Sequence, residues 1–151
     1  MNIDSVITEE VKQHIEEAIR LAEAGTSAEV RVHIEDECKE DVLDRAAYIF
    51  SELEMHKTAL RNGVLIYAAL GNKKMAILGD AGINRHMQQQ EWNTIKEHIL
   101  EQFRLGNIEA GLVTGVKDVG EKIKLLFPIQ KDDRNELPNR VTTNKDVQHG
   151  K

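Results

Sequence analysis

The stretch from Arg61 to Asn84 constrains the fold of this chain more than any other. Residues 64–70 form an apolar run of strand length, and residues 75–78 form a second, shorter one. Gly71 and Asn72 lie between the two runs, and both residue types tolerate the positive φ of a two-residue hairpin turn. The sequence therefore predicts a central β-hairpin, with polar and glycine-containing segments at its open end.

A strand and a helix precede this hairpin. Residues 28–35 alternate strictly between apolar and polar side chains, which is typical of a strand with one buried face. Residues 41–55 have a wide apolar helical face, so we expect this helix to pack flat on the sheet. A strand, a helix and a second strand form a crossover unit, which usually joins parallel neighbours. We therefore predict a mixed sheet in which strand 28–35 is parallel to strand 64–70.

Three further segments, 8–24, 91–103 and 107–127, carry apolar stripes at helical spacing. Pro128 ends the last of them. Residues 129–151 have few large apolar side chains and no period. The sequence thus predicts one domain over residues 1–128 and a disordered or loosely attached C-terminal tail over residues 129–151. Deletion of this tail is expected to leave the domain folded.

Composition excludes several classes of protein. A length of 151 residues suits one domain with a real core. The net charge of −6 gives no electrostatic footprint for nucleic acid, and a single cysteine, Cys38, excludes an internal disulfide. No segment has the pattern of a signal peptide or the ~20 apolar residues of a membrane span. We expect a soluble, cytoplasmic monomer, with a protein partner left open.

The predicted topology brings polar residues together at one edge of the sheet. Parallel strands start at this edge and the second hairpin strand ends there, so Glu29, Arg61, Asn62 and Asp80 should converge. Asp80 and Glu29 are the candidate metal ligands, because calcium and magnesium prefer oxygen donors. Arg61 and Asn62 are the candidate substrate-binding residues, because a guanidinium can bind phosphate with two hydrogen bonds.

Two alternatives stay open around this site. Ligands of open α/β sheets usually lie at the carboxyl ends of parallel strands, and a site at that competing edge would use Glu35, Asp36 and Glu37. The polar row of strand 28–35 is either a solvent-exposed face with cross-strand ion pairs or, at Glu29 and Arg31, the rim of a site.

Five motifs of the chain form a recognisable set: a strand AEVRV, a helix DRAAYIFSEL, the run K-T-x-x-R-N-G-V-L-I-Y, a G-x-x-G-I turn after the hairpin, and a C-terminal helix after F-x-x-G-N. Together they resemble the TPM domain, a family that includes thylakoid-lumen and bacterial envelope proteins. The most specific part is Arg61-Asn62-Gly63-Val64-Leu65-Ile66 with the turn at 79–83. The resemblance covers residues 8–128 and implies a three-layer α/β/α sandwich around a small mixed sheet.

The resemblance also implies functions. Divalent metal, calcium above all, is associated with the family, and some plant members are described as acid phosphatases. Many members carry a signal peptide and a membrane anchor, and we expect neither in this chain. The family turn commonly reads G-Y-G-L-E, whereas the matching part here is Gly82-Ile83-Asn84, so an amide stands where the family has a carboxylate.

Three functional hypotheses follow. The first is a domain that binds a divalent cation at one sheet edge and acts as an interaction or regulatory module. The second is a metal-dependent phosphatase, a hydrolase in which Asp80 and Glu29 hold the metal and Arg61 binds the phosphate. The third is a structural domain with no site. No residue pattern in the sequence identifies an attacking nucleophile.

Overall fold

The computed structural model describes residues 2–129 and 137–147. Its sheet has four strands in the order β3-β2-β1-β4, where β1 is Glu29–Glu35, β2 is Gly63–Ala69, β3 is Lys74–Gly79 and β4 is Thr142–Thr143. Strand β1 runs parallel to both β2 and β4, and β2 runs antiparallel to β3. The mixed sheet predicted from the crossover unit and the hairpin is therefore confirmed.

Helices cover both faces of this sheet. They are α1 (Ile3–Val6), α2 (Glu9–Glu23), α3 (Val42–Glu52), α4 (Ala81–Asn84), α5 (Gln89–Arg104) and α6 (Ile108–Leu126). One core joins the sheet to α2, α5 and α6, and a second core joins the other face to α3. The fold is thus the three-layer α/β/α sandwich that the family resemblance implies, with α3 as the crossover helix.

The connection between β2 and β3 is longer than the predicted two-residue turn. A short 3-10 turn covers Leu70–Asn72, and the positive φ falls on Lys73, at 53°. Gly71 is required by close approach instead, because a Cβ there would lie 2.5 Å from the Asp36 carbonyl oxygen. The Gly71 N–H donates to that same oxygen at 2.7 Å, which ties the hairpin to the end of β1.

The polar row of β1 is buried, so the solvent-exposed alternative is wrong. Glu29, Arg31, His33 and Glu35 are each at most 3% exposed. The second core covers this row, with contributions from α3 and from Leu137 and Val147 near the C-terminus. Alternation in the sequence identified the two faces of the strand correctly. It could not show that the polar face is covered, because burial of charge depends on partners from distant elements.

Residues 137–147 lie against the domain and so differ from the loosely attached tail that we predicted. They include the two-residue strand β4, and the side chains of Leu137, Val141 and Val147 are buried. The Val141 N–H donates to Glu16 Oε2 at 2.9 Å. Pairing with the edge of β1 orders this segment, and no periodic pattern in the sequence marks such a short strand. The rest of the predicted tail beyond Ile129 lies outside the described residues.

Candidate functional site

An ion pair dominates the edge where the metal and substrate residues were predicted. Arg61 Nε donates to Asp80 Oδ2 at 2.7 Å, and Arg61 Nη2 donates to Asp80 Oδ1 at 2.8 Å. Asp80 is buried and also caps α4 by accepting the Ala81 N–H, whereas about half of the Arg61 side chain is exposed. Both carboxylate oxygens of Asp80 therefore already have partners.

Backbone contacts fasten the same two segments together. The Gly82 N–H donates to the Arg61 carbonyl at 2.7 Å, and the Asp80 N–H donates to the Gly63 carbonyl at 2.9 Å. Arg61 has a φ of 52°, in the left-handed region that a non-glycine residue rarely adopts. We call these contacts the Arg61–Gly82 clasp. The N–H groups of residues 81–84 all have acceptors within the protein, so none of them remains for an anion.

Glu29 and Asn62 lie at this edge, and the side chain of each makes a hydrogen bond to another segment of the chain. Glu29 pairs with Gly63 across the sheet, which places Glu29 and Asp80 on either side of the start of β2. Glu29 Oε1 accepts the Leu137 N–H. Asn62 is 1% exposed, and its Nδ2 donates to the Ser27 carbonyl at 3.1 Å. The topology thus unites the residues as expected, while their roles as metal and substrate ligands stay predictions.

Replacing Gly82 with alanine should lower the free energy of unfolding by about 3 kcal/mol. The added Cβ would lie 2.3 Å from the Leu60 carbonyl oxygen and 2.7 Å from that of Arg61, so the clasp must open. Urea denaturation of wild type and variant measures the loss. Gly25→Ala is the matched control, because its Cβ would meet only the flexible Lys124 side chain at 3.3 Å. Equal stability of the two variants would show that the clasp accommodates the added methyl group with no loss of stability.

The opposite edge holds a buried network centred on Glu35. Its Oε1 accepts hydrogen bonds from Arg45 Nε at 3.0 Å and from the Tyr67 hydroxyl at 2.7 Å. Its Oε2 accepts from Arg45 Nη2 at 2.6 Å and lies 3.0 Å from His33 Nε2. His33 Nδ1 is in turn 2.7 Å from the Thr142 hydroxyl, so the network reaches from α3 to β4.

These contacts keep the Glu35 carboxyl ionised. Burial by itself raises the pKa of Glu35, but the hydrogen bonds from His33, Arg45 and Tyr67 outweigh it and lower that pKa to about 2. Burial and the bond to Glu35 raise the pKa of the Tyr67 hydroxyl. Glu35 was a candidate ligand at this competing edge, yet three side chains already make four polar contacts to its carboxylate. We therefore assign it a structural role within the network.

A cavity of about 570 Å³ opens beside this network at the carboxyl end of β1. Asp36, Glu37 and Glu40 line this cavity together with two basic residues, Lys39 and Arg45. We call it the acidic pocket. Asn144 lines the same pocket, and its Oδ1 is buried without a hydrogen-bond partner in the part of the chain that the structure describes. An unpaired oxygen beside carboxylates is a donor set that suits a hard cation.

Comparison with known proteins identifies the family. The TPM domain profile matches residues 2–122. The chain belongs to the TPM domain family. This agrees with the resemblance carried by the residues of the Arg61–Gly82 clasp.

A solved structure supports the same assignment. This TPM domain is similar to the BA42 protein of the psychrophilic bacterium Bizionia argentinensis, whose structure was determined by NMR. The two are 44% identical, with a TM-score of 0.83, and the match covers 90% of this chain and 94% of BA42. A search of curated proteins gave no match.

The clasp joins the two motifs that carry the family resemblance. Gly79 faces Ile83, and a Cβ on Gly79 would lie 2.7 Å from the Ile83 side chain. Gly82 meets the carbonyl groups of Leu60 and Arg61. The two motifs that carry the resemblance are therefore the two halves of one tertiary contact in this TPM domain.

Sequence reasoning missed the network residues His33, Arg45, Tyr67 and Thr142. Arg45 carried a usable signal, because its position falls within the apolar face of α3, and the structure shows that it is buried there. A charged residue on a buried helical face requires a partner of opposite charge, and the polar row of β1 supplies one. Thr142 carried no comparable signal, since its role depends on where the C-terminal segment lies.

Two observations on the TPM domain concern cations and membranes. Within residues 2–129 and 137–147, no group of three or more His, Cys, Asp or Glu side chains is placed to hold a metal ion. No helix in these same ranges is long and apolar enough to cross a membrane.

Proposed function

We propose that this TPM domain binds a divalent cation, calcium first and magnesium second, and acts as an interaction or regulatory module. The observation that carries the proposal is the buried, unpaired Oδ1 of Asn144 in the acidic pocket. A bound cation would give this oxygen the partner that the described residues do not supply. The location also follows the rule that ligands lie at the carboxyl ends of parallel strands.

The ligand set in this pocket would be mixed. Among the described residues no three acidic side chains are placed to hold one ion, so at most two of the carboxylates of Asp36, Glu37 and Glu40 would join the amide oxygen of Asn144. Backbone carbonyls and water would complete the shell, as they do in many calcium sites. Such a site has few charged ligands, so we expect weak binding in the range of extracellular calcium modules, about 10⁻⁴–10⁻³ M.

The edge around Asp80 and Glu29 is less favourable for a cation. Both oxygens of Asp80 accept hydrogen bonds from Arg61, so a metal there must displace a guanidinium. Glu29 is 3% exposed and holds the Leu137 N–H. The phosphatase alternative has less support for the same reason, because Nε and Nη2 of Arg61, the predicted phosphate ligand, are bound to Asp80.

Calcium titration should raise the melting temperature of the wild-type protein, because a ligand of the native state stabilises by RT ln(1 + [L]/Kd). At a calcium concentration of about 100 Kd this amounts to roughly 2.7 kcal/mol. Glu37→Gln and Asn144→Ala should lose most of the rise, whereas Asp80→Asn should keep it. Amide NMR of the labelled protein, titrated with calcium and then magnesium, locates the ion independently.

Three other outcomes would each contradict one part of the proposal. A calcium response lost only in Asp80→Asn would move the site to the amino-end edge. No change in melting temperature or amide shifts up to 10 mM calcium or magnesium, an upper limit set by the weakest modules of this class, would reject cation binding. Hydrolysis of p-nitrophenyl phosphate that requires added metal would favour the phosphatase instead.

A further inference from the structure

Arg31 is a buried cation whose hydrogen bonds are incomplete. The residue is 3% exposed and lies in the polar row of β1, between Glu29 and His33. Within the described part of the chain, neither its Nε nor its Nη2 has a hydrogen-bond acceptor. Buried guanidinium groups normally bind carboxylates through these nitrogens, with two parallel hydrogen bonds. The site therefore has donors for a carboxylate that residues 2–129 and 137–147 do not provide.

The C-terminal segment places a second positive charge, that of Arg140, next to Arg31. Strand β4 is parallel to β1 with His33 opposite Thr142, so continuing the register two residues back sets Arg140 beside Arg31. Burial lowers the pKa of the Arg31 guanidinium and Arg140 lowers it further, while Asp146 acts in the opposite direction. Arg140 itself extends toward Asp146, 3.0 Å away, and more than half of its side chain is exposed.

The same segment uses only a small part of the β1 edge. Its ladder with β1 covers two residue pairs. The Val30 N–H donates to the Glu23 side chain, at Oε2, over 2.8 Å. If β4 were longer, a backbone carbonyl of that strand would accept this hydrogen bond instead. Side-chain contacts also hold the segment, because Leu137, Val141 and Val147 are buried and the carboxylates of Glu16 and Glu29 accept backbone N–H groups from it.

We propose that the edge of β1 now covered by residues 137–147 is an exchangeable binding site for an extended segment of another protein that presents a carboxylate to Arg31. The bound segment would add a parallel strand beside β1, the mode of recognition known as β-augmentation. This site is separate from the acidic pocket, and the proposal does not depend on cation binding.

The present occupant specifies the rest of the partner segment. Apolar side chains would take the places of Leu137 and Val141, and a hydroxyl would take that of Thr142 next to His33. Glutamate or aspartate would replace Arg140, so that its carboxylate accepts from Nε and Nη2 of Arg31. Opposite charges on neighbouring strands also favour this register over the alternatives.

The charge preference can be tested first within the full chain. Arg140→Glu should raise the melting temperature by about 4 °C, the scale of a gain of 1–2 kcal/mol in a chain of this size. Lys145→Glu is the matched control, because Lys145 lies in the same segment, is also exposed and also pairs with an aspartate, Asp4. It makes the same charge change away from Arg31 and should not raise the melting temperature. The gain from Arg140→Glu should disappear when Arg31 is replaced by methionine.

Exchange itself is tested with peptides on the unmodified full-length protein. One peptide has the sequence of residues 137–147, and the other carries R140E. Amide NMR should show that the R140E peptide shifts Val30 and Val32 and releases the Val141 and Thr142 amides of the protein's own segment. It should bind at least tenfold more tightly than the unmodified peptide, a difference of about 1.4 kcal/mol.

Three results of the variant and peptide experiments would overturn the proposal, and a fourth would come from sedimentation. The first three are equal affinity of the two peptides, failure of both to displace the segment, and a melting temperature for Arg140→Glu no higher than that for Lys145→Glu. Exchange of segments between copies of the chain, seen as a dimer in sedimentation, would assign the edge to a second copy and likewise reject a foreign partner. Because the peptide experiment uses the wild-type protein, it stands even where Arg31→Met does not fold.

Discussion

Replacing Arg45 with methionine should lower the free energy of unfolding at pH 7 by about 3–5 kcal/mol, the usual cost of removing one partner from a buried ion pair. Glu35 is fully buried and receives two of its hydrogen bonds from Arg45. Without the guanidinium, a carboxylate would remain in the second core with only His33 and Tyr67 as partners. Urea denaturation at 25 °C provides the measurement.

The loss should depend on pH in a defined direction. The pKa of Glu35 is lowered from 4.5 to about 2, because the hydrogen bonds to it outweigh burial. A lowered carboxyl pKa contributes stability that is present above pH 4.5 and is lost as the pH falls toward 2. Arg45→Met removes the share of this contribution that comes from the Arg45 hydrogen bonds, so the two proteins should differ most near neutral pH and converge toward pH 2.

A double variant separates loss of the ion pair from loss of packing. Glu35→Gln combined with Arg45→Met leaves no buried charge unpaired, so it should be more stable than Arg45→Met alone. If the loss of stability in the double variant equals the sum of the losses in the two single variants, the ion pair contributes nothing beyond the packing of the two side chains. A loss that is the same at pH 7 and pH 2 would show that Glu35 is not the ionised centre of the network.

Deletion of every residue after Ile129 should cost more than about 3 kcal/mol of stability, although the sequence predicted a dispensable tail. The deletion removes β4 and uncovers the polar row of β1. Burial of each of the side chains of Leu137, Val141 and Val147 contributes roughly 1.5–3 kcal/mol. The conformational entropy cost of ordering the segment offsets a large part of this gain. Removal also takes the Thr142 hydroxyl away from His33.

Deletion after Val147 is the control for this experiment, because it keeps every contact that the structure describes for residues 137–147. Thermal and urea denaturation of the two truncated proteins should differ clearly. If both retain the stability of the full chain, the C-terminal segment contributes nothing to the fold, and the prediction made from the sequence would stand.

The sequence predicted the architecture because local patterns encode it. The alternation in residues 28–35, the two apolar runs around Gly71 and the apolar stripes of the helices each report the period of one element. A crossover unit then leaves little freedom of topology, so the parallel pairing of β1 with β2 followed. The family resemblance rested on Arg61-Asn62-Gly63 and the turn at 79–83, which meet in the clasp.

The placement of charge could not be predicted in the same way. Glu35 and Arg45 read separately as a polar strand residue and a helix residue, and only packing of α3 over β1 joins them. From the sequence, Asp80 looked like a free carboxylate. No local pattern shows that Arg61, nineteen residues earlier, adopts a left-handed backbone conformation and binds the Asp80 carboxylate.

Periodicity thus specified which residues form strands and helices and which of their faces meet, since those properties are set by each residue's near neighbours in the chain. Tertiary packing decided which polar groups are buried, which are already paired and which remain without a partner. Those outcomes depend on contacts between residues as distant as His33 and Thr142, whose hydrogen bond exists only because the C-terminal segment returns to the edge of β1. The unpaired groups of Arg31 and Asn144, on which both functional proposals rest, belong to this second class.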